Sequence, residues 1–166
     1  MDKNPLKPWK VLERLPYNNG HEYGQALIKK GYKISDWIID VISKPDFQVN
    51  AVSWPLPLVR VRLDSIGFSK PTTLKEFYKA AVEAGFEMCP PEAALALRFN
   101  YDEQPVGEWL RVAIDMDKMI DSDGVPHLPK LGNALGRFYL ETYWAYPDAV
   151  FHPHNEFVMI DRRLGR

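Results

Sequence analysis

Residues 71–120 read PTTLKEFYKAAVEAGF (71–86), EMCPPEAALALRF (87–99) and NYDEQPVGEWLRVAIDMDKMI (100–120). Thr73 followed three residues later by Glu76 is a capping-box pattern, in which the threonine hydroxyl accepts from a backbone N–H of the first turn. Leu74, Phe77, Tyr78, Ala81 and Val82 then recur at the spacing of one helical face. Gly85 supplies the left-handed residue that ends such a helix, with Phe86 folding back as its apolar partner. Pro90 and Pro91 suit the first turn of a second helix, and Glu92 suits its positive end. The spacing therefore predicts a helix pair over 71–98. Asn100 to Gly107 is turn chemistry, and residues 109–120 alternate with the period of a strand. On that strand Trp109, Arg111, Ala113, Asp115 and Asp117 share one face, and Leu110, Val112, Ile114 and Met116 share the other.

Outward from this unit, Asp121-Ser122-Asp123-Gly124 is a hairpin signal, and residues 125–131 begin the return strand. Gly132, Asn133 and Gly136 mark a further turn before RFYLETYW (137–144), and EFVMIDR (156–162) reads as the last strand. The segment 108–163 is thus expected to hold antiparallel strands. Upstream, FQVNAVSW (47–54) and PLVRVRLD (57–64) alternate with period two around Pro55 and Pro57, which predicts broken edge strands over 47–64. Ser35 caps a short helix after Gly31, so 21–44 reads as a helical hairpin. Residues 1–20 read as an extended arm with a strand near 9–12, anchored by Trp9 and Tyr17. The expectation is one α+β domain over 1–166: short helices on one face of a small antiparallel sheet of three to four or more strands.

Composition bounds the partners. The 166 residues carry 21 basic and 22 acidic side chains, a net charge of −1, so no global basic excess recommends duplex nucleic acid as a partner. One cysteine, Cys89, excludes an internal disulfide and a thiolate-rich zinc site. Neither a signal-peptide pattern nor a membrane-length apolar run is present, so the chain is expected to be soluble and cytoplasmic, away from membranes.

The block resembles a family of small uncharacterised bacterial proteins. The residues that carry the resemblance are the helix ending in Gly85, the step Met88-Cys89-Pro90, the pair Leu97-Arg98, and the turn-to-strand run from Gln104 to Leu110. It covers about residues 66–124 and implies a common domain, without an activity.

Four features could carry chemistry. Asp115 and Asp117 project from one strand face and could bridge a divalent ion; Gly124 at the sixth position of an EF-hand loop would put Met119 first and Lys130 last, which excludes that motif. The bland reading of the two aspartates is a solvated face paired with Arg111, Arg60 or Arg62. His152 and His154 flank Pro153, with Glu156 nearby, and form the weak catalytic and metal candidate. Tyr139, Tyr143, Trp144, Tyr146 and Phe151 supply an aromatic run able to anchor a partner. A helix-turn-helix reading of 73–98 fails on chemistry, because PPEAALALR has one basic residue and no Asn, Gln or Ser to read bases.

With no complete catalytic constellation, the expected function is a non-enzymatic interaction module of a bacterial or mobile-element protein. It would recognise a protein, or a small ligand, through an aromatic and Arg-rich sheet face. Arg111, Asp115, Asp117, Tyr143, Trp144 and Tyr146 are the binding candidates, and no cofactor is expected. The alternative is a small metal-dependent hydrolase built on His152 and His154 with nearby carboxylates.

Overall fold

In the computed structural model, described over residues 7–164, nine strands and four α-helices form an α+β fold around a seven-stranded mixed sheet. The elements in chain order are β1 (Lys10–Leu12), α1 (Gly20–Lys30), β2 (Lys33–Ile34), α2 (Asp36–Ile42), β3 (Leu56–Arg62), β4 (Thr72–Thr73), α3 (Leu74–Glu83), α4 (Pro91–Phe99), β5 (Trp109–Val112), β6 (His127–Ala134), β7 (Arg137–Trp144), β8 (Val150–Phe151) and β9 (Glu156–Ile160). The large sheet runs β1-β3-β9-β5-β6-β7-β2, and β4 pairs β8 separately. Residues 1–6 of the expected arm lie outside the described residues. No described helix is long and apolar enough to cross a membrane.

The sheet is larger than the sequence predicts and is not purely antiparallel. The last strand, β9, is central: it runs antiparallel to β3 and parallel to β5. Its composition suits that place, because Phe157, Val158, Met159 and Ile160 are buried on both faces of the sheet. The arm contributes β1, and two residues between the first helices contribute β2, parallel to β7. Pairs this short leave no periodicity to read.

Helices cover both faces, not one. Leu58, Leu110, Val112, Leu131, Leu140, Val158 and Ile160 pack with side chains of α1, α2 and α4. Val61, Leu128, Phe157 and Met159 pack with Leu74, Phe77, Tyr78 and Ala81 of α3 and with Phe151. The expected helix pair is therefore split across the sheet. Its caps are as the sequence predicts, with Thr73 Oγ1 accepting from the Glu76 N–H (3.2 Å) and Gly85 left-handed at φ 100°. The connection between them joins the sheet instead of turning helix on helix: Glu87 bridges Ile160, and the Cys89 N–H donates to Ala113 (2.8 Å).

Two expected strands are shorter than their alternation suggests. Residues 47–54 form no strand; Asn50 is left-handed at φ 62° and its N–H donates to the Glu92 carboxylate (2.6 Å), while Phe47, Val49, Val52 and Trp54 cover the core as loop residues. The run 109–120 stops as a strand at Val112. Beyond it the buried Tyr78 hydroxyl takes the place of a neighbouring strand, donating to the Ile114 carbonyl (2.9 Å) and accepting from its N–H (3.2 Å). The chain then turns at Asp115, whose carbonyl accepts from the Lys118 N–H. The later turn also shifts. β6 continues through Gly132 and Asn133, and the hairpin reverses at Leu135 and Gly136, both left-handed (φ 53° and 72°) as the tight hairpin turn demands.

Candidate binding face

The strands β5, β6 and β7 present an uncovered face. The helices that pack on β6 and β7 are α2 and α4, and both lie on the first face. On the second face α3 and Phe151 reach only as far as Leu128, Ala145 and Tyr143. The side chains beyond are Trp109 and Arg111 of β5, Lys130 and Gly132 of β6, and Tyr139 and Glu141 of β7. Register places Trp109 opposite Gly132, and Arg111 opposite Lys130, which in turn faces Glu141.

Trp109 lies against the backbone of Gly132. A Cβ at residue 132 would come within 2.3–2.6 Å of three atoms of the indole's six-membered ring, so only glycine permits this seat. The indole remains 39% exposed, and Tyr139 stands beside it with centroids 5.7 Å apart. The seat itself is braced from below. Arg98, fully buried on α4, donates to the carbonyls of Gly132 (3.2 Å), Tyr139 (3.1 Å) and Tyr101 (2.7 Å) and to Gln104 Oε1 (2.9 Å). Gln104 Nε2 adds a bond to Leu131 O (3.0 Å). A buried guanidinium whose two terminal nitrogens bond to carbonyls fixes the backbone of both strands at once, although its Nε has no hydrogen-bond partner.

One row along, two cations are paired in register, with Glu141 facing Lys130 from β7. The Arg111 guanidinium lies over Tyr143 (5.5 Å) and Phe151 (5.2 Å), and its buried Nε has no hydrogen-bond partner. The Lys130 ammonium lies near Trp109 (5.1 Å) and Tyr143 (5.9 Å). Burial lowers the pKa of both groups, and the Arg111 charge depresses Lys130 further. Among the described residues neither takes part in an ion pair. The two arginines of β3, by contrast, are paired: Arg60 holds Glu156 (2.6 Å) and Glu108 (3.1 Å), and Arg62 holds Asp64 (2.7 Å). Partly desolvated like charges held adjacent among ring faces form an arrangement that an incoming anion would relieve.

The expected site residues separate. Arg111 and Tyr143 meet on this face. Trp144 is 59% exposed at the far end of β7, opposite His127 in register, and Tyr146 is an exposed loop residue 44% accessible. Asp115 and Asp117 leave the strand and line a cavity of about 670 Å³ with Lys44, Phe47, Met88 and Cys89, so they pair with none of Arg111, Arg60 or Arg62. Burial raises the pKa of the Cys89 thiol well above the ordinary range, which makes it an inert part of that wall. His152 and His154 are exposed and stack face to face, centroids 5.9 Å apart, while Glu156 is engaged by Arg60. Among the described residues no group of three or more His, Cys, Asp or Glu side chains is placed to hold a metal ion.

One polar cluster escaped sequence reasoning. His127 is 3% exposed, with Nε2 on Asp121 (2.8 Å) and Nδ1 on Thr142 (3.1 Å), and Trp37 stacks on its ring at 5.9 Å. Asp121 also accepts from the N–H groups of Asp123 and Val125 (both 2.9 Å). The hydroxyl–imidazole–carboxylate order resembles an activated nucleophile. None of the three lines the cavity, however, and the bonds brace the 121–125 turn against β6 and β7. The signal available in the sequence was only DSDG as a turn. The sequence places Trp109 beside Arg111 on one face of β5, but Lys130 as the neighbour of Arg111 and Gly132 as the seat of Trp109 depend on register across β5 and β6.

Comparison with protein-family models, with curated proteins and with solved structures finds no match to this chain.

Proposed function

We propose that the protein is a non-enzymatic binding module that holds an anionic partner on the face formed by β5, β6 and β7. The observation that carries this reading is the Arg111–Lys130 pair: two adjacent, partly desolvated cations set among Trp109, Tyr143 and Phe151 with no protein anion for Arg111. Such an arrangement lowers the stability of the free protein and strengthens its attraction for a negative group. Aromatic and arginine side chains are also the types that dominate binding hot spots.

The test is a titration of the isotope-labelled protein with acidic peptides, nucleotides and small anionic metabolites, followed by backbone and indole resonances. Ligands should perturb Trp109, Arg111, Lys130 and Tyr143 together, and the effect should vanish in the double variant R111M/K130M. Perturbations confined to the 670 Å³ cavity, or unchanged in that variant, would sink the reading. No observation favours the hydrolase alternative, since Glu156 is drawn to Arg60 and the two histidines stack on each other.

A further inference from the structure

We infer that the anionic partner is an unpaired nucleotide within a single strand of nucleic acid, its base on Trp109 and its phosphate on the Arg111–Lys130 pair. The inference rests on the binding-face reading above and adds the class of ligand. Trp109 is the starting point. Glycine at residue 132 lets the indole lie down on the sheet, where a larger residue would lift it away. A ring seated this way, with 39% of its surface exposed, offers a flat apolar platform. Carboxylates of an acidic peptide have no use for one, whereas every base has a face that stacks, and each base–aromatic stack changes affinity by roughly tenfold.

The cations lie one row further along the same strands. Arg111 is two residues from Trp109 on β5, and Lys130 is two residues from Gly132 on β6, a step of about 7 Å by strand geometry. From Trp109 onward rings and cations alternate across the face in the order Trp109, Lys130, Tyr143, Arg111, each within 6 Å of the next, with Tyr139 beside Trp109 and the buried Phe151 backing the guanidinium. A strand whose bases and phosphates alternate at single-nucleotide spacing matches that order. Open sheet faces bearing aromatic side chains bind unpaired bases in this manner. Duplex nucleic acid does not match, because its bases are stacked on one another and none is free to lie on Trp109. Glu141, opposite Lys130 on β7, is the one carboxylate in the row, and it bounds the phosphate position on the β7 side.

The experiment is fluorescence-anisotropy titration of the full chain with a labelled oligothymidylate at several salt concentrations. Unlabelled thymidine monophosphate and a labelled polyglutamate peptide serve as the comparison arms. The oligonucleotide should bind with quenching of tryptophan emission. Trp109→Leu should weaken binding at least tenfold, and R111Q/K130Q should weaken it and remove about 0.7 from the slope of log K against log salt, one phosphate contact's worth for a single strand. The charge variant relieves repulsion and should fold even if Trp109→Leu does not. No binding of the oligonucleotide, or binding indifferent to R111Q/K130Q, overturns the inference. Thymidine monophosphate binding as tightly as the strand also overturns it. Binding of polyglutamate alone, lost in R111Q/K130Q, overturns the nucleotide and leaves the binding-face reading standing; no perturbation of the face by any anion removes both.

Discussion

Replacing Arg111 with methionine should not destabilise the protein, although the side chain is largely buried. Arg111 is paired in register with Lys130, and cross-strand neighbours of this kind have Cβ atoms about 5 Å apart, which sets the scale of the distance between their charges. Two like charges at that separation repel by about 1 kcal/mol in water and by about 3 kcal/mol at a dielectric of 20, so solvent screening at this half-open face leaves roughly 1 kcal/mol. The unpartnered Nε adds a desolvation cost of about 1–2 kcal/mol. Against these stand two cation–π contacts, with Tyr143 and Phe151, worth about 0.5–1 kcal/mol each at a partly exposed site. Methionine keeps the apolar stem and a polarisable sulfur against the same rings. The balance is a stability gain between about zero and 2 kcal/mol, read as an unchanged or higher urea midpoint at constant m.

The same variant has a second readout. Arg111 lowers the Lys130 pKa, so removing it should move the Lys130 titration upward, toward the usual lysine value. The sign of the accompanying pH effect follows. In the wild type the folded-state pKa of Lys130 lies below its unfolded value of about 10.4, so the unfolded chain binds more protons in that interval. Stability should therefore rise with pH as Lys130 loses its proton ahead of the unfolded chain, and Arg111→Met should flatten that rise. A loss of more than about 1.5 kcal/mol, together with an unmoved Lys130 titration, would refute the argument that the two cations are unrelieved.

Arg98→Met should act in the opposite sense. It strands the Tyr101, Gly132 and Tyr139 carbonyls and should cost roughly 3–5 kcal/mol by chemical denaturation. Its loss should also red-shift Trp109 emission as the indole's seat loosens. Leu135→Asn should stabilise by about 1 kcal/mol, because a 91% exposed leucine at φ 53° packs nothing and asparagine tolerates that backbone better. An unchanged urea midpoint would speak against it. Asp121→Asn bears on pH. The bond from His127, with those from Val125 and Asp123, lowers the Asp121 pKa, so its contribution is complete above the unfolded value of about 3.9 and fades as pH falls through the folded value. The stability gap between wild type and variant should close at acid pH, and a gap independent of pH would count against the brace.

The parts of the fold legible in the sequence are those decided within a few residues. Caps at Ser35 and Thr73, left-handed Gly31 and Gly85, and the Asp121–Gly124 turn depend on local hydrogen bonds and backbone preference, and all occur where the residues ask for them. Strand extent was less legible, because alternation records burial and not pairing. Ile114 and Met116 continue the apolar pattern of β5 after the ladder has ended, since Tyr78 and the core claim those positions from outside the sheet. The central place of β9 has no local signature beyond its run of four buried residues. The split of α3 from α4 is invisible to periodicity, which says that each has an apolar face and nothing about which side of a sheet it meets.

The candidate face illustrates the same limit from the side of function. On one continuous strand Arg111 shares a face with Asp115 and Asp117, which either pair with it or join it in a binding site. Ending the strand at Val112 carries the carboxylates away to the cavity and leaves the guanidinium with Lys130 instead. The change alters the chemistry expected of the residue, from a charge beside two carboxylates to an unrelieved one. Gly132 shows why no reading of single positions could have found the site. As sequence it is a turn residue, and as structure it is the clearing on which Trp109 lies. The two are 23 positions apart, brought together by the β5–β6 register and held by an arginine on the opposite face. Any anion specificity this protein possesses therefore depends on Arg98 as well as on Arg111, although Arg98 cannot touch a ligand.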